Sequence, residues 1–181
     1  ADITESVPLE PDDKDWTWVL ERTCPECQVD VRSFDVTDVG ERIRANAAAF
    51  AAELRDRAEE AGRRTSADRW SLLEYGCHVR DVYRLYLFRL DLMLEEDGPS
   101  YPNWDQDVTA VEENYGDQDP VTVADELLAS AEALAARFDG IRTDQWARTG
   151  FRSDGASFTV ESFARYLLHD PEHHLWDVRT N

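Results

Sequence analysis

Residues 166–177 read YLLHDPEHHLWD and contain three of the four histidines of the chain. His169 and His173 are four residues apart, so on a helix they lie on one face, one turn apart. The remaining histidine, His78, lies in a second amphipathic stretch, LLEYGCHVRD, at residues 72–81. Two imidazoles from one helix and a third from a facing helix make a three-nitrogen metal site with open coordination positions, as catalytic metals need. The sequence therefore predicts a fold that brings His78 to that pair.

Helical periodicity in four long segments predicts the architecture. The segments run from about Asp38 to Ala61, Ser71 to Glu96, Thr122 to Asp139 and Thr159 to Asp177. Ser71 followed by Glu74 is a capping-box pattern, and Pro171 inside the last segment predicts a kink or local distortion. No segment reads as paired strands. The prediction is an all-α four-helix bundle with a long crossover loop at residues 99–120.

Length and charge narrow the classes of function. A chain of 181 residues fits one domain, divided here into an N-terminal tail with a cysteine segment (1–37), packed on the bundle, and the bundle itself (38–181). Residues 1–15 are expected to drape on the domain or to stay mobile. The formal net charge of −20 disfavours binding to nucleic acid and to anionic membranes. The start of the chain lacks the apolar core of a signal peptide, and no run is long enough to span a membrane, so we expect a cytoplasmic protein.

Cys24 and Cys27 form a C-x-x-C pair, which is a half-site for zinc or a redox pair. A structural zinc ion needs two more soft ligands nearby. Cys77, beside His78, completes a set only if the N-terminal segment folds over the second helix. The pattern favours the plainer alternative, in which the pair is a tight turn with two ordinary thiols or a chance disulfide.

The surroundings of the histidines supply carboxylates that could orient them. A ligand histidine usually donates its second ring nitrogen to a carboxylate or a carbonyl. At helical spacing the candidates are Glu74 and Asp81 for His78, and Asp177 for His173. His174 lies off the 169/173 face and is expected to be a surface or supporting residue. The alternative is a hydrogen-bonded core histidine at 78 and partly exposed histidines at 169 and 174.

The long connection at residues 99–120 also has two interpretations. Loops of this length in a compact domain are often functional, so it could cover an active site. It could equally be a crossover strap whose Trp104 and Tyr115 fill the core.

The two histidine stretches resemble those of the DinB/YfiT superfamily of four-helix bundles, over residues from about 38 to the end. In that family a histidine of the second helix and a histidine pair of the last helix bind a divalent metal, often zinc or nickel. The resemblance implies His78, His169 and His173 as the ligands. Family members include mycothiol-dependent maleylpyruvate isomerases and other thiol S-transferases, and homodimers are common among them.

The resemblance therefore implies a metal-dependent thiol S-transferase or isomerase. A low-molecular-weight thiol of the mycothiol type would attack a small electrophile held under the long loop, and a homodimer is expected. Arg80, Arg84 or Arg152 would hold a carboxylate of either partner through paired hydrogen bonds. No general base can be assigned. The alternatives are a metal-dependent hydrolase and a non-catalytic bundle that only binds a metal or a small molecule.

Overall fold

The computed structural model describes residues 16–180, and the expectations for the tail at residues 1–15 lie outside this range. The helices of the described part are α1 (Val39–Asp56), α2 (Leu72–Glu95), α3 (Gln106–Glu112), α4 (Pro120–Asp139) and α5 (Val160–Arg179). The strands are β1 (Ser100–Tyr101), β2 (Thr149–Arg152) and β3 (Ser157–Thr159). Every helix within residues 16–180 is too short or too polar to span a bilayer.

The four long helices α1, α2, α4 and α5 form the predicted four-helix bundle. Helices α4 and α5 each pack against both α1 and α2, so the consecutive helices α1 and α2 lie diagonally across the bundle. Side chains such as Phe50, Leu90, Leu134 and Leu167 are fully buried between them. Each such burial stabilises the fold by about 1.5–3 kcal/mol. The apolar stripes read from the sequence therefore face one common core.

Local chemistry at the helix ends explains where the helices begin and end. The hydroxyl of Ser71 accepts a hydrogen bond from the Glu74 amide, and the Glu74 carboxylate accepts one from the Ser71 amide. This capping box starts α2 at Leu72, close to the predicted position. Helix α1 ends at Asp56, short of the predicted Ala61, because the chain then turns. The turn lets the Ala61 carbonyl accept a hydrogen bond from the Leu73 amide at 2.9 Å.

A small sheet corrects the expectation that the chain has no paired strands. Strand β2 pairs parallel with β1 and antiparallel with β3. Strands of two to four residues are too short to show a two-residue periodicity in the sequence. Gly150 allows β2 to lie directly on α2, since a Cβ at this position would come within 2.8 Å of the Met93 Cγ atom.

A buried polar network fixes the middle of α5. The Tyr83 hydroxyl donates to Asn46 Oδ1 at 2.6 Å, and Asn46 Nδ2 donates to the carbonyl oxygen of Pro171 at 2.9 Å. Helix α5 continues through Pro171 to Arg179. The network therefore ties α1, α2 and α5 together at the turn of α5 that carries the histidines.

Candidate metal centres

Helix α5 carries two pairs of side chains that could bind a metal ion, and each pair contacts a different part of the protein. His169 and His173 form one pair at i and i+4, and Asp170 and His174 form a second pair that is rotated from the first by about 100°. The second pair groups with His78 of α2. The first pair groups with Cys24 and Cys27 of the N-terminal segment. In each group, one donor atom per residue lies within 4.8 Å of the donor atoms of all the others.

The group around His78, which we call the histidine–aspartate cluster, consists of His78, Asp170 and His174. The Nε2 atom of His78 lies 3.0 Å from Asp170 Oδ2, and the Nε2 atom of His174 lies 3.3 Å from Asp170 Oδ1. His78 is fully buried, whereas the Asp170 side chain is 38% exposed. Two imidazoles and one carboxylate leave coordination positions open, and the exposed side of Asp170 gives those positions access to solvent.

Asp170 and His174 stabilise each other's charged forms. Burial opposes ionisation of Asp170, but His174 and His78 outweigh that effect and hold the pKa of Asp170 well below its usual range. Burial likewise opposes protonation of His174, but Asp170 and Asp177 outweigh it and raise the pKa of His174 to about 9. The Asp170 carboxylate therefore stays ionised, as a cation requires, whereas His174 carries a proton near pH 7 that a bound cation would have to displace.

Aromatic rings form the walls of the histidine–aspartate cluster. The Trp104 ring stacks on His78 with centroids 5.5 Å apart and planes at 3°, and Trp70 lies 5.3 Å from the same imidazole. Tyr75 lies 4.9 Å from the His174 ring. Trp104 belongs to the connection between α2 and α4, so this connection contributes to the wall of the site. The same connection also fills the core, because Tyr115 is fully buried.

The group around the two cysteines, which we call the cysteine–histidine cluster, consists of Cys24, Cys27, His169 and His173. The Sγ atom of Cys24 lies 3.8 Å from His173 Nδ1, and both cysteines are free thiols. The buried Nε2 atom of His169 has no hydrogen-bond partner within residues 16–180. The Trp16 ring stacks on His169 with centroids 5.5 Å apart.

Burial sets the protonation of this cluster. Burial, reinforced by the neighbouring His173, lowers the pKa of His169 to about 4. Burial and His174 lower the pKa of His173 as well. Both imidazoles are therefore neutral near pH 7 and keep a lone pair for a ligand. Burial also raises the pKa of the Cys27 thiol to about 12, so this thiol stays protonated unless a cation replaces its proton.

Both donor sets fit a divalent metal ion. The cysteine–histidine cluster combines two soft sulfur donors, as zinc prefers, with a buried imidazole nitrogen that has no partner within residues 16–180. In the histidine–aspartate cluster, three donors of the zinc, nickel or iron type converge and leave room for further ligands. His78, Asp170 and His174 would hold a zinc, nickel or iron ion of this kind.

The structure groups the predicted ligands differently. His78, His169 and His173 do not form one set, because His78 meets the 170/174 pair and not the 169/173 pair. The predicted set does not include Asp170, and it gives His174 a surface or supporting role. The sequence carries a signal for both, because Asp170 and His174 have the same four-residue spacing as His169 and His173. The cysteine pair, interpreted as two ordinary thiols, lies beside the other two histidines.

The three acidic residues expected to support the histidines have different surroundings. Asp177 Oδ2 lies 3.0 Å from His174 Nδ1 and 3.6 Å from His173 Nε2. Glu74 instead accepts two hydrogen bonds from the Arg64 guanidinium. Asp81 pairs with Arg80 and accepts a hydrogen bond from the Tyr115 hydroxyl. Of the three, Asp177 is therefore the one that contacts the clusters.

The arginines expected to bind a carboxylate already have partners within the chain. Arg80 and Arg84 both pair with Glu126 of α4. Arg152 donates to Asp154 at 2.8 Å and to the Tyr166 hydroxyl at 3.3 Å. Each of these three guanidinium groups is therefore paired within residues 16–180, and a role in holding a carboxylate stays a prediction.

A further arginine, which is not among the predicted site residues, is buried and poorly satisfied. Arg89 is 3% exposed, and its Nε atom has no hydrogen-bond partner within residues 16–180. One guanidinium nitrogen donates to the Pro102 carbonyl at 2.8 Å, and the group stacks on the rings of Tyr86 and Tyr101. The nearby Tyr101 hydroxyl is also buried without a partner in this range. An arginine on the apolar face of α2, three residues after Tyr86, was the signal in the sequence.

Comparisons with known proteins agree with this architecture. A comparison with curated proteins finds no match. A solved structure is similar, with a TM-score of 0.63 and 17% sequence identity, over 99% of this chain and 95% of the other. Its description reads "YfiT from Bacillus subtilis is a probable metal-dependent hydrolase with an unusual four-helix bundle topology". The family model of the DinB superfamily matches residues 40–178, which covers most of the chain. The chain therefore belongs to the DinB superfamily.

Proposed function

We propose that this protein is a metal-dependent enzyme whose catalytic cation is held by His78, Asp170 and His174. The observation that carries the proposal is the convergence of these donors around the partly exposed Asp170 carboxylate. A divalent cation in this position would supply positive charge that polarises a substrate oxygen and favours deprotonation of a nearby water or thiol. Asp177 would keep the His174 ring in place through its contact with Nδ1 at 3.0 Å.

Hydrolysis is the reaction that the donor set supports best. Two histidines and one carboxylate with an open position are the ligands that several zinc hydrolases use. Trp70 and Trp104 cover the His78 side of the cluster and exclude bulk water there, while the Asp170 side stays accessible. The similar solved structure is itself described as a probable metal-dependent hydrolase. The substrate would approach along the exposed side of Asp170.

Thiol transfer is the second candidate, and Arg89 favours it. Arg89 follows His78 by eleven residues, which places it about 16 Å along α2 and within about 20° of the same face. Arg89 has no carboxylate partner within residues 16–180, and such a buried guanidinium is unfavourable by several kcal/mol or more unless an anion neutralises it. An extended low-molecular-weight thiol with an anionic far end would fit such an arrangement, with its sulfur at the histidine–aspartate cluster and a small electrophile beside it.

One set of measurements tests the function. The purified protein is loaded with zinc or nickel and assayed on a panel of esters and amides, and separately on thiols of several lengths with a reactive electrophile. The proposal expects turnover that disappears with a chelator and returns with the ion. Metal binding without turnover on either panel would favour the non-catalytic bundle and contradict the proposal.

Variants connect any activity to the residues. Asp170→Asn is expected to abolish turnover, whereas Glu161→Gln, an exposed acid at the start of the same helix, is expected to leave it unchanged. Unchanged activity in Asp170→Asn would contradict the assignment of the catalytic ligands. A cytoplasmic location and a homodimer stay predictions, and light scattering of the purified protein tests the latter.

A further inference from the structure

The cysteine–histidine cluster has a different chemical character from the site proposed for catalysis. Its four residues supply two sulfurs and two imidazole nitrogens, and one donor atom of each lies within 4.8 Å of the others. The histidine–aspartate cluster offers three harder donors and open positions. The two clusters share no residue, so each can be tested without the other.

The geometry of the cysteine–histidine cluster fits tetrahedral coordination. With Zn–S bonds of about 2.3 Å and Zn–N bonds of about 2.0 Å, a sulfur and a nitrogen ligand of one zinc ion lie about 3.5 Å apart. The observed separation of Cys24 Sγ and His173 Nδ1 is 3.8 Å. A shift of a few tenths of an ångström would therefore bring these two ligands to the distance that zinc requires.

The surroundings of the cluster are those of a closed site. Cys24, His169 and His173 are at most 8% exposed. The His173 ring presents Nδ1 to the sulfur, while its Nε2 atom faces Asp177 at 3.6 Å and Glu26 at 3.8 Å. Carboxylates at the far nitrogen are the usual means of orienting a ligand imidazole. The unpartnered Nε2 atom of buried His169 is explained if it too binds an ion.

The segment with the cysteines is folded in a way that presents both thiols. The backbone amide of Gln28 donates to the Cys24 carbonyl at 3.0 Å, and the backbone amide of Cys24 donates to the Val29 carbonyl at 3.0 Å. Gln28 has a positive φ of 65°, which lets the chain reverse just after Cys27. The turn thus places both cysteines of the pair on the side that faces α5.

We propose that Cys24, Cys27, His169 and His173 bind a structural zinc ion that clamps the N-terminal segment to α5. Four protein ligands leave no coordination position for a substrate. The clamp joins residues that are more than 140 positions apart in the sequence, and it fixes His173, the neighbour of the catalytic ligand His174. Zinc here is a structural ion, separate from the cation of the proposed active site.

Cobalt substitution tests the proposal directly, because thiolate ligands give Co²⁺ an intense charge-transfer band in the near ultraviolet and imidazole or carboxylate ligands do not. The wild-type protein reconstituted with Co²⁺ is expected to show this band and a tetrahedral visible spectrum. Cys24→Ser with Cys27→Ser should lose the band and one equivalent of zinc. Asp170→Asn should keep the band while losing the other equivalent. Cys77→Ala, which changes a buried thiol outside the cluster, should also keep it.

A band that is absent from the wild type, or that persists in the double serine variant, would overturn the proposal. If the double variant fails to fold, the wild-type protein itself provides the test. Titration of its thiols with a mercurial should release one zinc equivalent to a chromogenic indicator, and release of none with all thiols modified would contradict the clamp. Failure of the proposed enzymatic function would appear instead as no turnover in the wild type, or as unchanged turnover in Asp170→Asn, with the cobalt band intact, so the two failures are distinguishable.

Discussion

His173 and His174 are adjacent in the sequence and their rings lie 5.8 Å apart with planes at 75°, yet they belong to different clusters. The helical step of about 100° per residue turns one ring to the N-terminal segment and the other to α2. The two clusters therefore meet at one peptide bond of α5 without sharing a ligand.

Replacing His174 by alanine should abolish the proposed activity while leaving the thiolate cobalt band in place. His174 supplies one of three donors to the histidine–aspartate cluster and none to the other cluster. The expected loss in kcat/KM exceeds about 100-fold, since a cation lost from the site takes its stabilisation of the transition state with it. Turnover within a factor of two of the wild type would contradict the assignment. Glu161→Gln serves as the control on the same helix.

Asp177→Asn should weaken metal binding at both clusters. The Asp177 carboxylate faces His174 Nδ1 and His173 Nε2, so its loss leaves both imidazoles less well oriented. Such supporting residues typically contribute about 10–100-fold to metal affinity. Competition with a chromogenic chelator measures both affinities. An effect confined to one cluster would show that Asp177 orients only one of the two rings.

Tyr83→Phe should lower the free energy of unfolding by about 1–3 kcal/mol, because it leaves the buried Asn46 Oδ1 without its hydrogen-bond donor. Urea unfolding with matched metal content measures the change. Tyr101→Phe is the matched control, since the Tyr101 hydroxyl is buried without a partner within residues 16–180. Removal of the Tyr101 hydroxyl should leave the free energy of unfolding unchanged or raise it. Equal destabilisation by the two changes would mean that the Tyr83–Asn46 bond contributes nothing specific.

Ser71→Ala should destabilise the fold by about 1 kcal/mol through loss of the capping box at the start of α2. Thermal unfolding gives the difference. The control is Ser66→Ala, because the Ser66 hydroxyl bonds to Asp68 in an exposed turn outside the helices. A larger effect at position 66 than at position 71 would contradict this explanation of the helix start.

Arg89→Met should raise the stability of the free protein by about 1–4 kcal/mol, as replacement of poorly satisfied buried charges often does. The same change should raise KM for anionic thiols or substrates without raising it for neutral ones. Arg84→Met, at an arginine whose side chain is 48% exposed, should alter stability by less than about 1 kcal/mol. Equal effects of Arg89→Met on neutral and anionic compounds would contradict a role in binding the anion.

The bundle was predictable because its signals are local. Ser71 and Glu74 mark a helix start within a few residues of each other, and the apolar stripes of the four long helices repeat every three or four positions. The sheet was missed for the same reason. Strand β1 has two residues and finds its partner, Phe151, about fifty positions later, and no local pattern reports such a pairing.

The candidate site was only partly predictable, since spacing alone cannot tell which of two adjacent faces of α5 meets α2. His169 with His173 and Asp170 with His174 have identical spacing, and histidine is the commoner metal ligand, so the sequence favours the first pair. The packing of α5 against α2 instead brings the second pair to His78. The contact of Cys24 with His173 spans 149 positions, so it depends on how the N-terminal segment folds back over the bundle.

The parallel stacking of Trp104 on His78 gives the protein a built-in optical probe. Indole fluorescence is quenched by a protonated imidazole or a paramagnetic ion in van der Waals contact and recovers when the contact opens. Emission from Trp104, isolated by replacing the other tryptophans, would therefore report in real time whether the connection between α2 and α4 lies closed over the histidine.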